Sequence, residues 1–276
     1  MKLLQKPAMV VWKKGPISPT CEGARVTLRL AQELIGSASQ EKHHKEIFPQ
    51  TIMDFLTEQQ PWGKTLYEIQ PGSHTSFQTR RQQVDLITNS HFGRMLFLDG
   101  VLQSTTSDEA KYHRILVDLG IHRDSQHVLI VGGAEGGVAR EVLQNPDVES
   151  VVMVDWDREL VEYCRDTEKW NQLAFADPRL ELVFEDVRDF ATECKREFDT
   201  IYIDLLDVTT SEEFDFFMSV FDNLAFLRSR DTKTRIVANF GRSKRFLQNI
   251  HERRMKVHKV HVPSFQEAHY LVSWKY

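Results

Sequence analysis

Residues 127–143 read HVLIVGGAEGGVAREVL: an apolar run, a glycine-rich loop, then a helix-forming segment. An apolar run without alternation is what a strand buried on both faces of a parallel sheet requires. The glycines let the backbone turn tightly and approach a ligand closely, and the helix behind them offers N–H donors. The same rhythm continues downstream. SVVMVD (150–155) leads to a helix expected over 158–169, then LELVF (180–184) and FDTIYID (198–204). A helix over 212–227 precedes TRIVANF (234–240), and KVHKVHVPS with HYLVSW reads as two antiparallel strands. The expected fold is α/β, a Rossmann-like, open and doubly wound sheet. Such sheets bind ligands at the carboxyl ends of their strands.

Upstream, a helix begins at Asp108 with Tyr112, Ile115, Leu116 and Leu119 on one apolar face. Before it, TLYEIQ, SFQTRRQQVDLITN and GRMLFLDGVLQST are short strands with turn signals at Pro71-Gly72, His91-Phe92-Gly93 and Asp99-Gly100. They predict a small antiparallel β subdomain. Further back, VTLRL (26–30) alternates like a strand, 40–45 is a polar linker or exposed helix, and IMDFL (52–56) predicts a short helix. The expected division is an appendage over 1–60, the antiparallel subdomain over 61–106 and a Rossmann-like catalytic domain over 107–276.

Composition narrows the function. The 276 residues carry 35 Lys+Arg against 40 Asp+Glu, a formal charge of −5. That balance excludes a generic basic nucleic-acid binder and mildly favours a cationic ligand. Hydrophobic residues at 41% and charged residues at 27% argue against a long disordered or fibrous chain. No run approaches the roughly 18 consecutive apolar residues of a membrane span, and no signal peptide is read. Cys21, Cys164 and Cys194 are far apart and never spaced CxxC, which fits a reducing cytoplasm and neither a disulfide framework nor zinc. His43 and His44 sit in a charged run and read as solvated surface.

Acids follow each of four successive strands: Glu135 in the loop Gly132-Gly133-Ala134-Glu135-Gly136-Gly137, then Asp155, Glu185-Asp186, and Asp204 with Asp207. One acid in a loop is ordinary; four on one sheet edge mark a site. Asp155, twenty residues beyond Glu135, is placed to bond a ribose hydroxyl. The dinucleotide fingerprint G-x-G-x-x-G fails, because Ala134 takes the middle glycine's place, and Glu135 would repel a pyrophosphate. A cationic nucleoside without phosphates fits better, such as S-adenosylmethionine or its decarboxylated form.

With these residues in place, the chain resembles the polyamine aminopropyltransferases: the spermidine, spermine and thermospermine synthases. The resemblance runs from Gly63 to Tyr276 through SFQ (76–78), FGRMLFLDGVLQSTTSDEAKYHR (92–114), VLIVGGAEGGVAREVL (128–143), VVMVDWD (151–157), FEDV (184–187), FDTIYIDLLD (198–207) and HVPSF (261–265). It implies a methyltransferase-type sheet and decarboxylated S-adenosylmethionine as co-substrate, with no permanently bound cofactor or metal. It implies that Gln78 and Gln103 contact the donor beside the loop glycines Gly132, Gly133 and Gly136. Asp155 would hold the ribose, Asp186 the adenine amino group and Glu135 the donor's terminal ammonium. Tyr112 and Asp204 resemble the pair that orients and deprotonates the attacking amine, with Asp207 as a second amine-binding acid. The acceptor would be a small-molecule polyamine, and the protein a cytoplasmic homodimer engaging neither nucleic acid nor membrane.

The chain departs from the family at Ala134 for Gly, Asp155 for the usual Glu, Val208 for the Pro of D-x-x-D-P, and Phe265 for Tyr. VPSF followed by Glu267 is more like spermine and thermospermine synthases, and tilts the expectation towards spermidine as acceptor, with Glu267 pairing its remote ammonium. The alternatives are a putrescine-using spermidine synthase, or an S-adenosylmethionine-dependent N-methyltransferase of the same fold. Glu135 discriminates against the methyltransferase, because the carboxylate of S-adenosylmethionine would lie close to it. A non-catalytic polyamine-binding relic would have lost Tyr112, Asp204 and Asp207, and all three are present.

Overall fold

A computed structural model of the chain describes residues 54–60, 63–205, 207–231 and 233–276. They divide into two units: a smaller one of 54–77 and 83–104, and a larger one of 78–82 and 105–276. The readings of VTLRL and of the polar stretch at 40–45 lie outside the described residues.

In the smaller unit, β1 (Asp54–Gln60) pairs antiparallel with β2 (Gly63–Ile69), from Asp54 opposite Ile69 to Gln60 opposite Gly63. The helix expected over 52–56 is therefore corrected: the described part of it begins a strand. The reason is a buried carboxylate. Glu58 is 1% exposed, with Oε2 accepting the Tyr67 hydroxyl at 2.8 Å and Oε1 the Leu102 N–H at 3.1 Å. A polar residue at an inward position hides the period-two pattern on which a strand is recognised. β3 (Thr75–Gln78), β4 (Gln83–Asn89), β5 (Gly93–Leu98) and β6 (Val101–Thr105) form a four-stranded sheet in that order. Val84, Leu86, Met95, Phe97 and Leu102 are among its buried side chains.

The larger unit is built on β7 (His127–Gly132), β8 (Ser150–Val154), β9 (Leu180–Val183), β10 (Thr200–Asp204), β11 (Arg235–Gly241), β12 (Lys256–His261) and β13 (Ala268–Lys275). The strand order is β12-β13-β11-β10-β7-β8-β9. The five strands from β9 to β11 are parallel, while β13 runs antiparallel to both β11 and β12. The chain leaves β7 for β8 on one side and returns to β10 on the other. The carboxyl ends of β7 and β10 therefore flank the switch point at which such sheets open a crevice.

Helices cover the sheet: α1 (Glu109–Gly120), α2 (Gly137–Leu143), α3 (Arg158–Tyr163), α4 (Gln172–Phe175), α5 (Val187–Glu193), α6 (Ser211–Leu224) and α7 (Leu247–Glu252). Leu129, Val131, Ile201, Ile203, Ile236 and Ala238 pack as one core with Phe217, Phe221 and Leu224 of α6. Burying each of the large ones contributes roughly 1.5–3 kcal/mol. Thr210 caps α6, accepting the Glu213 N–H at 3.2 Å while the Glu213 carboxylate accepts the Thr210 N–H at 2.8 Å. α3 ends in a π turn over Cys164–Glu168, so the helix expected over 158–169 changes pitch midway. On α1 the buried face is Tyr112, His113, Leu116, Val117 and Gly120, with Ile115 and Leu119 only half-buried. The apolar stripe is thus rotated from the expected one, and a histidine lies in it. Gly120 lets α1 approach the sheet, since a Cβ there would lie 2.7 Å from the Tyr202 ring. Cys164 and Cys194 are free thiols.

Candidate active site

The glycine turn after β7 sets the geometry. Gly132, Gly133 and Gly136 take φ of +80°, +74° and +79°, a region that L side chains rarely enter. A Cβ on Gly132 would lie 2.2 Å from the Asp204 carbonyl oxygen, so only glycine lets the ends of β7 and β10 come this close. Ala134 is not among the left-handed residues, and its methyl is buried without strain. The departure from the family glycine leaves the turn intact.

Two side chains of α1 reach this edge. The Tyr112 hydroxyl donates to Asp204 Oδ1 at 3.0 Å. His113, 2% exposed, has Nδ1 at 2.7 Å from Glu109 Oε2, and Nε2 at 3.5 Å from Glu135 Oε1 and 3.8 Å from Asp204 Oδ2. Gly137, the first residue of α2, makes room for it, as a Cβ there would sit 2.3 Å from the imidazole. Arg140 of α2 closes the far side, with Nη1 and Nη2 on Glu109 at 2.8 and 3.0 Å. Arg140 Nη1 also donates to Asn171 Oδ1 at 2.7 Å, and Asn171 Nδ2 donates to the Glu135 carbonyl at 2.8 Å.

These contacts fix the protonation states. Burial works against the His113 cation, but Glu109, Glu135 and the charge of Asp204 outweigh it and hold its pKa at about 10. Burial likewise opposes ionisation of Glu109, yet its bonds to His113 and Arg140 pull it to about 2. Asp204 is raised to about 6, chiefly by burial, with Glu135 and Asp207 adding to the rise and His113 and Tyr112 restraining it. Asp155, just beyond β8, is raised to about 7 by burial, although its Oδ1 accepts the Asp157 N–H at 2.8 Å. Burial, then the charge of Asp204, pushes the Tyr112 phenol well above its ordinary range. The edge therefore holds a poised carboxylate, a neutral phenol that orients it and an imidazolium that is charged at neutral pH.

The structure brings Gly132, Gly133, Glu135, Tyr112 and Asp204 together. Asp186 caps α5, and its carboxylate also accepts from Nε and Nη2 of Arg188. Asp207 accepts from Arg242 Nε at 2.8 Å. Gln78, at the exposed end of β3, donates to the Thr79 carbonyl at 3.0 Å. Gln103, on β6, belongs to the smaller unit, where it donates to the Val101 carbonyl at 3.1 Å. Glu267 is half-buried just ahead of β13, its N–H directed at the Phe265 carbonyl.

Sequence reasoning missed His113, Glu109, Arg140, His269 and Arg242. A signal existed for the first two, since Glu and His four apart share a helix face beside Tyr112. His269 stacks on Phe265 with centroids 4.9 Å apart, meets Tyr112 edge-on at 5.3 Å, and bonds Asn239 Oδ1 through Nε2 at 2.6 Å. Burial lowers its pKa to about 4, so it is a neutral wall. Among the described residues no group of three or more His, Cys, Asp or Glu is arranged to hold a metal ion, and no helix is long and apolar enough to cross a membrane.

A doubly wound sheet with a glycine turn and an acid at successive strand ends defines an α/β protein of the methyltransferase type. The chain belongs to the spermine/spermidine synthase domain family, whose profile matches residues 109–270. Among its relatives, polyamine aminopropyltransferase 2 of Pseudomonas aeruginosa is 39% identical over 156 residues, covering 55% of this chain and 44% of that protein. The polyamine aminopropyltransferase of Shigella flexneri serotype 5b is 35% identical over 162 residues, 55% of this chain and 56% of that one. The matched segments thus span about half the length of these relatives. A spermidine synthase solved with the transition-state analogue AdoDATO shares the fold at a TM-score of 0.70 and 22% identity, over 86% of this chain and 83% of its own. The spermidine synthase of Thermotoga maritima does so at 0.67 and 22%, over 84% and 82%.

Proposed function

We propose that this chain transfers the aminopropyl group of decarboxylated S-adenosylmethionine to an amine of a polyamine, releasing methylthioadenosine. The observation that carries the reading is the Tyr112 hydroxyl on Asp204 at 3.0 Å, beside Glu135 at the glycine turn. A neutral amine nitrogen attacks the methylene next to the sulfonium, the C–S bond breaks towards sulfur, and the nitrogen's proton passes to Asp204. Aliphatic amines are protonated at neutral pH, so a carboxylate that binds the ammonium and then takes its proton performs general base catalysis. Tyr112 contributes orientation. Asp155 is the candidate for the ribose and Glu135 for the donor's ammonium.

The acceptor we favour is spermidine, with Glu267 as partner of its remote ammonium. The test is incubation with the decarboxylated donor and, separately, putrescine, spermidine, cadaverine and agmatine, with products identified chromatographically. Methylthioadenosine together with an aminopropylated amine is expected; its absence with every amine overturns the reading. Glu267→Gln should lower kcat/KM for spermidine and leave putrescine nearly unchanged. Calorimetry separates the methyltransferase alternative. The decarboxylated donor should bind more tightly than S-adenosylmethionine, with Glu135→Gln narrowing the gap by about 1–3 kcal/mol. Equal affinities in the wild type would sink the assignment.

A further inference from the structure

Asp207 is the acid that the resemblance gives to a second acceptor ammonium, and in this chain a cation of the protein already holds it. Arg242 Nε donates to Asp207 Oδ2 at 2.8 Å, with 13% and 20% of the two side chains exposed. The arrangement is built into the backbone. β11 ends in a register shift between Asn239 and Gly241, where Asn239 Oδ1 accepts the Gly241 N–H at 2.8 Å. Asn239 Nδ2 ties the Leu205 carbonyl at 2.8 Å, and the Val208 N–H reaches the Phe240 carbonyl at 3.2 Å. Gly241 takes φ of +84°, and a Cβ on it would lie 2.6 Å from the Asp207 Cβ. The chain that carries Arg242 is thus pressed against Asp207. The guanidinium also lies 5.7 Å from the centre of the Phe265 ring, which meets Tyr112 edge-on at 6.3 Å.

An ammonium arriving at Asp207 meets a carboxylate whose charge a largely buried guanidinium already compensates, and displacing that guanidinium leaves an uncompensated charge. The acceptor gains only the difference between the two partners. We infer that Arg242 is a specificity-determining residue that withholds Asp207 from the acceptor's second ammonium and so disfavours a short diamine. A triamine keeps a further ammonium for Glu267, and a diamine has none. The inference rests on the aminopropyl-transfer reading.

The test compares kcat/KM for putrescine with that for 1-aminobutane, which lacks the second ammonium, in wild type, Arg242→Gln and Arg242→Lys. In wild type the two should lie within about threefold. Arg242→Gln should raise the putrescine-to-aminobutane ratio about tenfold or more, the worth of a charge-assisted bond. Arg242→Lys keeps a cation and should stay near wild type. An unchanged ratio in Arg242→Gln, or a wild-type ratio already at about tenfold, overturns the inference, and the wild-type ratio decides alone if the variant does not fold. Should no amine be turned over, the aminopropyl-transfer reading fails separately. The same ratio is then read from calorimetric binding of both amines in the presence of methylthioadenosine.

Discussion

Burial and the charges of Glu135 and Asp207 hold Asp204 at about 6, while Tyr112 and the His113 cation keep it from rising further. A base must be ionised to accept a proton, so kcat/KM should climb as pH rises through about 6. Asp204→Asn should abolish that acid limb and lower turnover by roughly 10²–10⁴ while leaving donor affinity nearly unchanged. A wild-type profile flat between pH 5 and 7 would count against Asp204 as the base. Asp155 carries a different consequence. Its folded pKa of about 7 lies above the ordinary 3.8, so the native state holds a proton that the unfolded chain releases. Its contribution to stability is therefore present below pH 3.8 and lost as pH rises through about 7. Asp155→Asn should raise Tm at pH 8 relative to wild type and change it little at pH 4, when scans are run at both.

The turn between β7 and α2 shows how unequal its glycines are. Gly132 has a left-handed backbone and no space for a methyl, whereas Ala134 has neither constraint. Gly132→Ala should cost about 3 kcal/mol or more, from backbone strain and the collision with the Asp204 carbonyl together. Ala134→Gly should cost less than about 1 kcal/mol, the added entropy of the unfolded chain. Urea denaturation of both variants checks the contrast, and equal losses would refute this account of the turn. α1 carries a complementary lesson. Its 3.6-residue period was legible, but the half-turn that faces inward was not. A buried His113 with Glu109 beneath it looks, as a string of letters, like a polar face.

For the molecule as a whole, the formal charge of −5 and the acids at the strand ends favour a polycation on approach. Screening shortens that reach to about 8 Å at physiological ionic strength. KM for spermidine should therefore rise as salt is raised from low to physiological levels, and KM for 1-aminobutane should rise less. Equal salt dependence would place the attraction in the single reacting ammonium alone.

The strand–helix alternation after His127, the acids at the strand ends and the glycine turn were legible in the sequence because each is a local pattern. An apolar run, a period and a glycine are read within a few neighbouring residues. The strand at Asp54–Gln60 was not, because Glu58 is buried among partners distant in the chain, Tyr67 and Leu102 among them. The Tyr112–Asp204 bond joins residues 92 apart, and the Arg140–Glu109 and Arg242–Asp207 pairs join residues 31 and 35 apart. Which acid meets which base across such separations depends on how α1, α2 and the end of β11 pack against the sheet. A buried charge takes its pKa from those neighbours, so the sequence located the acids and the packing assigned them their partners and protonation states.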